Sequence, residues 1–301
     1  MASSRSSTLP LLAVAVTLLL WSSAFVAIRH LEHAFSPGAL SLGRLLVGSV
    51  ALGVVLLMRG WTAPARRDWP GLVVIGLLWF GLYNVALNAG ERRVDAGTAA
   101  MLIQLSPVLV AVLAAVFLKE RGTAMLGVGL LVAFVGVVLI ATSTSGPGSR
   151  DPWGVVLCLV SAAAYAVSLI VQKPLVSRLS AIEVTWIACT VGMLTCLPFA
   201  GSLVHDVAAA SASDVGWVVY LGAFPTAIAF STYAFALSSM TAGNLSVTTY
   251  LVPPITVLMS WVFLSEAPPA MAYVGGALCL LVVGLARRRP RTVPAQEPTP
   301  A

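Results

Sequence analysis

Charge is what this chain has least of. Only 9% of its 301 residues are Asp, Glu, Lys or Arg, against about 25% in a typical soluble domain, and so small a share excludes a water-soluble globular protein. Phosphate-cradling glycines in a G-x-x-x-x-G-K-[ST] loop are absent, which excludes pumping driven by ATP. Histidine is scarce: of the three present, His30 ends a predicted span and His33 and His205 fall in predicted outward loops. With no paired carboxylates or activated nucleophile inside an apolar run either, the sequence offers no acid-base, metal or covalent chemistry, and it is read as neither an enzyme nor the holder of a cofactor or metal. All eleven acidic residues fall in loops or at the ends of apolar runs, so no carboxylate stands at the expected bilayer midplane as an obvious proton relay. The four cysteines, Cys158, Cys189, Cys196 and Cys279, lie inside apolar runs and read as small packing residues rather than a disulfide framework.

What is there is apolar surface. Hydrophobic residues make up 59% of the chain and the mean hydropathy is +0.96. The runs are long enough to cross about 30 Å of hydrocarbon as helices, and each is closed by Gly, Pro or charge, which argues against the alternation of a β-barrel. Ten spans are predicted, at 10–30, 38–58, 70–90, 95–118, 123–142, 153–172, 181–200, 214–237, 243–264 and 270–286. The first has the flanks of a leader peptide, with Arg5 before it and Ser22, Ser23 and Ala24 within it. It nevertheless stays apolar to Ile28 and completes five spans in its half, so it reads as a span. Counted against these spans, twelve basic residues fall on one side and four on the other, with Arg44 inside a span. The positive-inside rule then puts both termini in the cytoplasm, and the net charge of +6 reads as topology and attraction to anionic lipid, not as a nucleic-acid footprint. Residues 287–301, rich in Pro and Thr, read as a disordered cytoplasmic tail.

The spans repeat. Residues 96–120 lie over residues 242–266 with eight identities in twenty-five positions, where this composition gives roughly two by chance. The shift is 146 residues and five spans, and an odd number of spans inverts the second copy. The expected fold is therefore an all-α integral membrane protein of ten helices in two inverted five-helix repeats, residues 1–142 and 153–286. Such halves build carriers with a binding site near the midplane.

Matched prolines mark the candidate site. Pro107 and Pro253 each fall about ten residues, or about 15 Å, beyond the start of their span. A proline inside a helix frees the carbonyl four residues earlier, here Ile103 and Thr249. Polar side chains cluster at the same depth, Gln104 in one half and Thr249 and Tyr250 in the other, and they are predicted to face a central cavity. Arg44 is the one base well inside a span, where a charge is costly and tends to be functional; contact with an anionic substrate group and a structural pairing are both open to it. Trp21 and Tyr165 are mid-span aromatic candidates. Asn84 and Asn88, four residues apart, share a helix face that cannot turn to lipid. Glu120 and Glu266 end their matched spans and read as helix caps or junction pairs.

These motifs together resemble the EamA-type family of the drug/metabolite transporter superfamily. The resemblance rests on WSSAF from Trp21 to Phe25, LGRLL around Arg44, ALNAGERRVDAGTAA from Ala86 to Ala100, the span ends SPVLVAVLAAVFLKE and PPITVLMSWVFLSE, and the Gly-rich fifth and tenth spans. It implies a ten-helix inverted-repeat fold and export of small metabolites, amino acids or drug-like compounds, from a bacterial inner membrane. Trp21, Arg44, Pro107 and Pro253 match the family pattern; Ala162 stands where the second half would repeat Trp21. The function expected is a secondary transporter exporting small metabolites, amino acids among them, by alternating access. Multidrug efflux is the alternative, and a non-transport scaffold the weaker one. Partners are a small-molecule substrate and the lipid bilayer, with no nucleic acid; nothing in the sequence specifies a homodimer, although helix packing allows one.

Overall fold

The computed structural model describes residues 5–61, 63–94, 99, 102–120, 127, 128, 131, 132, 135, 151–264, 274 and 277. Every element among the described residues is helical: α1 (Arg5–Leu31), α2 (Pro37–Arg59), α3 (Trp69–Glu91), α4 (Ser106–Phe117), α5 (Pro152–Leu175), α6 (Ala181–Thr195), α7 (Ala200–Ala209), α8 (Ala212–Ser239), α9 (Ala242–Thr248) and α10 (Val252–Leu264). Six helical stretches among the described residues are long and apolar enough to cross a membrane, and α6 with the bent segment that follows makes a seventh when the two are taken as one span. The predicted fifth and tenth spans and the tail lie outside the described residues, apart from isolated positions.

Local chemistry sets the ends. Proline occupies the first turn of α2, α3 and α5, where its missing N–H costs nothing. Ser180 with Glu183 and Ser211 with Asp214 form capping boxes at the starts of α6 and α8, each satisfying orphan amides on both sides of the turn. Gly60 closes α2 at φ 74°, in the half of conformational space that residues with a Cβ avoid. The predicted seventh span at 181–200 ends sooner as a straight helix. It breaks after Thr195, passes through a 3-10 turn over Leu197–Phe199 that contains Pro198, and continues as α7 at 53°.

Burial follows helical phase. Along α2 the exposed apolar residues are Leu46, Val50, Val54, Leu57 and Met58, while Gly43, Arg44, Gly48 and Ser49 are buried. Spacings of three and four place the first set on one stripe, which in a bilayer faces lipid.

Packing interleaves the two halves. α1 lies against the Ala229–Ser239 part of α8 and against α10, whereas α5 lies against the Tyr83–Glu91 part of α3 and against α4. α2 packs on α6. Two further crossings involve wide turns, because α3 is π-helical over Gly76–Leu82 and α8 is π-helical over Gly222–Ile228; Gly76 and Gly222 are again 146 residues apart. α6 crosses the first wide turn and α2 the second. At Gly222 a Cβ would lie 2.5 Å from Val47 Cβ and 2.7 Å from the Arg44 carbonyl oxygen. At Gly76 it would lie 2.5 Å from Val191 Cβ and 2.8 Å from the Ala188 carbonyl oxygen. Both contacts are too short for any residue but glycine, and they bring backbones together as small residues do between membrane helices.

Candidate substrate cavity

The proline positions interrupt their helices. Gln104 and Leu105 form a turn, after which α4 restarts at Ser106, and Thr249–Leu251 is a 3-10 turn between α9 and α10. The two carbonyls freed by proline both find donors. Ser106 Oγ donates to the Ile103 carbonyl at 2.5 Å. Gln104 Nε2 donates to the Thr249 carbonyl at 2.5 Å; the Thr249 hydroxyl donates to the Ser246 carbonyl at 2.7 Å and lies 3.4 Å from Gln104 Oε1. The breaks are therefore tied to each other, and the tie is buried.

Around this tie is a cavity of about 630 Å³, its open mouth included. α1 supplies Trp21, Ala24, Phe25 and Ile28, α2 supplies Arg44, and α3 supplies Trp79, Tyr83 and Leu87; Ile103, Gln104, Ser106, Tyr165, Phe230, Thr249 and Val252 complete the wall. It extends toward the end of the bundle where α1 and α3 finish and α2 begins. Away from that end the rings close up. Trp21 stands 4.8 Å from Tyr233 and 5.3 Å from Phe230, Trp79 stands 5.0 Å from both Tyr165 and Phe230, and Phe80 stands 4.6 Å from Phe230. Tyr165 and Tyr233 join their hydroxyls in a hydrogen bond. Tilted and edge-on rings at such separations add to packing beyond the area they bury.

At the opposite end of the bundle, Lys173 Nζ donates to the carbonyls of Leu237 at 2.7 Å and Met240 at 2.5 Å, the last carbonyls of α8 and its following turn. The Glu120 carboxylate accepts from the amides of Ala242 at 2.9 Å and Gly243 at 3.2 Å, at the start of α9. Charged groups at helix ends of the matching sign make strong contacts.

The cavity wall is mostly apolar and aromatic, with few polar groups, and two of these are donors with capacity to spare. Arg44 is 4% exposed. Its Nε donates to Thr226 Oγ1 at 3.0 Å, while its Nη atoms have no hydrogen bond among the described residues. Trp21 Nε1 is buried and lacks a partner among them. A guanidinium and an indole N–H beside apolar rings suit an acceptor-bearing, partly apolar molecule, such as one with a carboxylate.

Of the predicted binding residues, Trp21, Arg44, Gln104, Tyr165 and Thr249 come together here. Asn84, Asn88 and Tyr250 do not line the cavity. Asn84 Nδ2 donates to the carbonyls of Trp79 at 3.2 Å and Phe80 at 2.8 Å, two carbonyls of the wide turn. Asn88 Nδ2 donates to Ser41 Oγ at 2.9 Å and to the Pro37 carbonyl at 3.4 Å, beside a second, smaller cavity. Tyr250 is fully buried in the 3-10 turn. Sequence reasoning missed Trp79 and Phe230. The four-residue spacing of Trp79, Tyr83 and Leu87 was the available signal for the first, and it is legible once the wide turn is known.

Residues 8–142 and residues 152–288 each match the EamA-like transporter family. The chain is 37% identical over 277 residues to a probable terminal-alkyne amino-acid exporter of Streptantibioticus cattleyicolor, covering 92% of this chain and 93% of that protein. It is 29% identical over 259 residues to the uncharacterized transporter YdfC of Bacillus subtilis, covering 86% and 84%. It is also 28% identical over 279 residues to an uncharacterized transporter of Archaeoglobus fulgidus, covering 92% and 98%. A solved crystal structure shares the fold with a TM-score of 0.74 at 20% identity, over 92% of this chain and 95% of that one. With most of its length matched in two successive segments, and with apolar helices gathered around a cavity, the chain belongs to the EamA-like transporter family.

Proposed function

We propose that the protein is a secondary carrier that exports small amphipathic metabolites bearing a carboxylate, amino acids and their relatives, across a bacterial inner membrane by alternating access. In this reading ten helices form two inverted five-helix repeats, residues 1–142 and 153–286, with both termini cytoplasmic, and the cavity faces the outside. The observation that carries it is the spare donor capacity of Arg44 Nη, set in an aromatic wall that includes Trp21. The guanidinium takes the substrate carboxylate and the rings of Trp21, Trp79 and Phe230 take its apolar part. The similarity to a probable amino-acid exporter supports the same substrate class. Access from the cytoplasm requires the aromatic layer and the Lys173 and Glu120 contacts to part, which the tied breaks at Gln104 and Thr249 would transmit between halves.

The test is uptake of radiolabelled amino acids into proteoliposomes holding the wild-type protein, Arg44→Ala or Gln104→Ala. Saturable uptake that falls in Arg44→Ala is expected; no uptake of any amino acid would sink the substrate assignment. A second reading, efflux of hydrophobic toxic compounds, is favoured by the apolar share of the cavity wall. Resistance to several unrelated compounds without amino-acid transport would select it.

A further inference from the structure

Glu91, the last residue of α3, is 2% exposed, and neither carboxyl oxygen has a hydrogen-bond partner among the described residues. Asn88 Oδ1, one turn earlier, is buried and unpartnered as well. Both residues line the smaller cavity between the end of α1, the start of α2 and the end of α3, which shares Ile28 with the substrate cavity. Three buried acceptor oxygens with no donor form an unsatisfied set, and an isolated buried carboxylate is among the costliest groups a fold can hold.

Neighbouring cations do not relieve it. From α1, Arg29 pairs with Glu32 at 2.8 Å. From the residue after Glu91, Arg92 Nη2 donates to the carbonyls of Glu32 at 2.7 Å and Phe35 at 2.5 Å. From α2, Arg44 donates to Thr226. Arg44, Arg29 and Glu32 act on Glu91 only through space, and among the described residues Tyr83 of α3 and Cys158 of α5 also lie within its field. None of these arginines donates to Glu91, which leaves one economical source for the missing donor.

We propose that Glu91 is a proton-binding site: its carboxyl is a neutral acid whose hydroxyl supplies the donor this cluster lacks. Its ionisation also sets how much of the Arg44 charge reaches the substrate cavity. With Glu91 neutral, Arg44 keeps its full attraction for an anionic group; with Glu91 ionised, that attraction is partly cancelled. This second consequence rests on the carrier reading, whereas the proton site itself does not.

The two are separated by an experiment that needs no substrate. Infrared difference spectra of the reconstituted full-length protein, recorded at neutral pH in H2O and D2O, should contain a carboxylic-acid C=O band that is lost in Glu91→Gln and kept in Glu32→Gln. Absence of the band in the wild type, or its persistence in Glu91→Gln, overturns the proposal. Glu91→Asp guards against misfolding of the Gln variant: its band should shift, and an unshifted band overturns the assignment equally. In the amino-acid uptake assay, wild-type uptake should decline as pH rises through ionisation of Glu91, and Glu91→Gln should flatten that profile. Uptake absent from every protein, with the infrared band present, would count against the carrier reading alone.

Discussion

The two helix crossings at the wide turns are nearly the same object built twice. Gly222 meets Val47 and the Arg44 carbonyl; Gly76 meets Val191 and the Ala188 carbonyl. Gly48 gives way to Thr226 on one side, and Gly192 gives way to Phe80 on the other. Thr226 and Phe80 are again 146 residues apart, while Arg44 and Ala188, like Val47 and Val191, are 144 apart. The crossings part in one respect: one carries a hydrogen-bonded pair, Arg44 with Thr226, where the other has Ala188 and Phe80. Glycine and backbone geometry are thus the shared scaffold, and the charge that faces the cavity is an addition to one copy. A duplicated frame can hold a single, asymmetric site without disturbing the packing that both copies need.

The largest expected effect breaks the scaffold. Gly222→Val or Gly76→Val places a Cβ against backbone oxygen at under 3 Å, a strain that neighbouring flexible atoms cannot absorb. Overpacking of this kind costs about 1–3 kcal/mol or more, and loss of the monodisperse species on size exclusion, with a lowered melting temperature, is expected at both sites alike. If only one of the two were sensitive, the equivalence of the crossings would fail.

Next in size is the addition. If the guanidinium takes the substrate carboxylate as proposed, Arg44→Ala should reduce amino-acid uptake on the order of 10- to 100-fold, since truncating a buried charge of that role costs about 2 kcal/mol or more. Converting the second crossing into a copy of the first, with Arg44→Ala and Thr226→Phe together, should recover thermal stability relative to Arg44→Ala but leave uptake low. Recovery of uptake in the double variant would assign Arg44 to packing alone.

A smaller effect is expected from Gln104→Ala, which leaves the Thr249 carbonyl without its donor. An unpaired buried carbonyl costs about 1–3 kcal/mol, readable as a lower melting temperature; Thr249→Val, which keeps that carbonyl and its donor, should cost less. The smallest concerns Asp151, whose carboxyl is held below its ordinary value of 3.8 by Arg93 first and by the Trp153 amide next. A depressed carboxylate stabilises the fold above its unfolded value, and that contribution is lost as pH falls below 3.8 toward the native one. Asp151→Asn should therefore lower the melting temperature slightly at neutral pH and make no difference in strong acid, as thermal scans across that range would reveal.

The class of fold was legible because membrane helices advertise themselves by length and apolarity, and because prolines at matched depth leave carbonyls that must be answered. Ile103 and Thr249 could be named in advance, and so could the neighbourhoods of Gln104 and Thr249. Their donors could be anticipated only in part, since the bond from Gln104 joins two halves that sequence spacing alone does not bring into contact. Asn84 was misleading for a related reason: a helix of 3.6 residues per turn needs no amide to close it, and only the wide turn gives Asn84 its carbonyls. Glu91 sits at the end of a span, where an acidic residue ordinarily meets water. Its burial comes from the ends of α1 and α2 folding over it, a tertiary fact with no local signature. Pro198 was the available signal for the bend after Thr195; the continuation to Ala209 falls in what reads as a loop between two apolar runs.

One consequence of the wide turns concerns angular register. A π turn accommodates an extra residue without ending the helix, so everything after Gly76–Leu82 is rotated relative to what a regular α-helix would present. Deleting a single residue there would turn the rest of α3 by about 100°. Tyr83 and Leu87 would swing out of the cavity, Asn84 would lose its carbonyls, and Glu91 would be carried to another face. The same arithmetic applies to Phe230 and Tyr233 behind Gly222–Ile228. Each wide turn therefore works as a phase setting for the half-helix beyond it, and because both halves carry the setting at equivalent positions, their sequences can be laid over one another here without a gap.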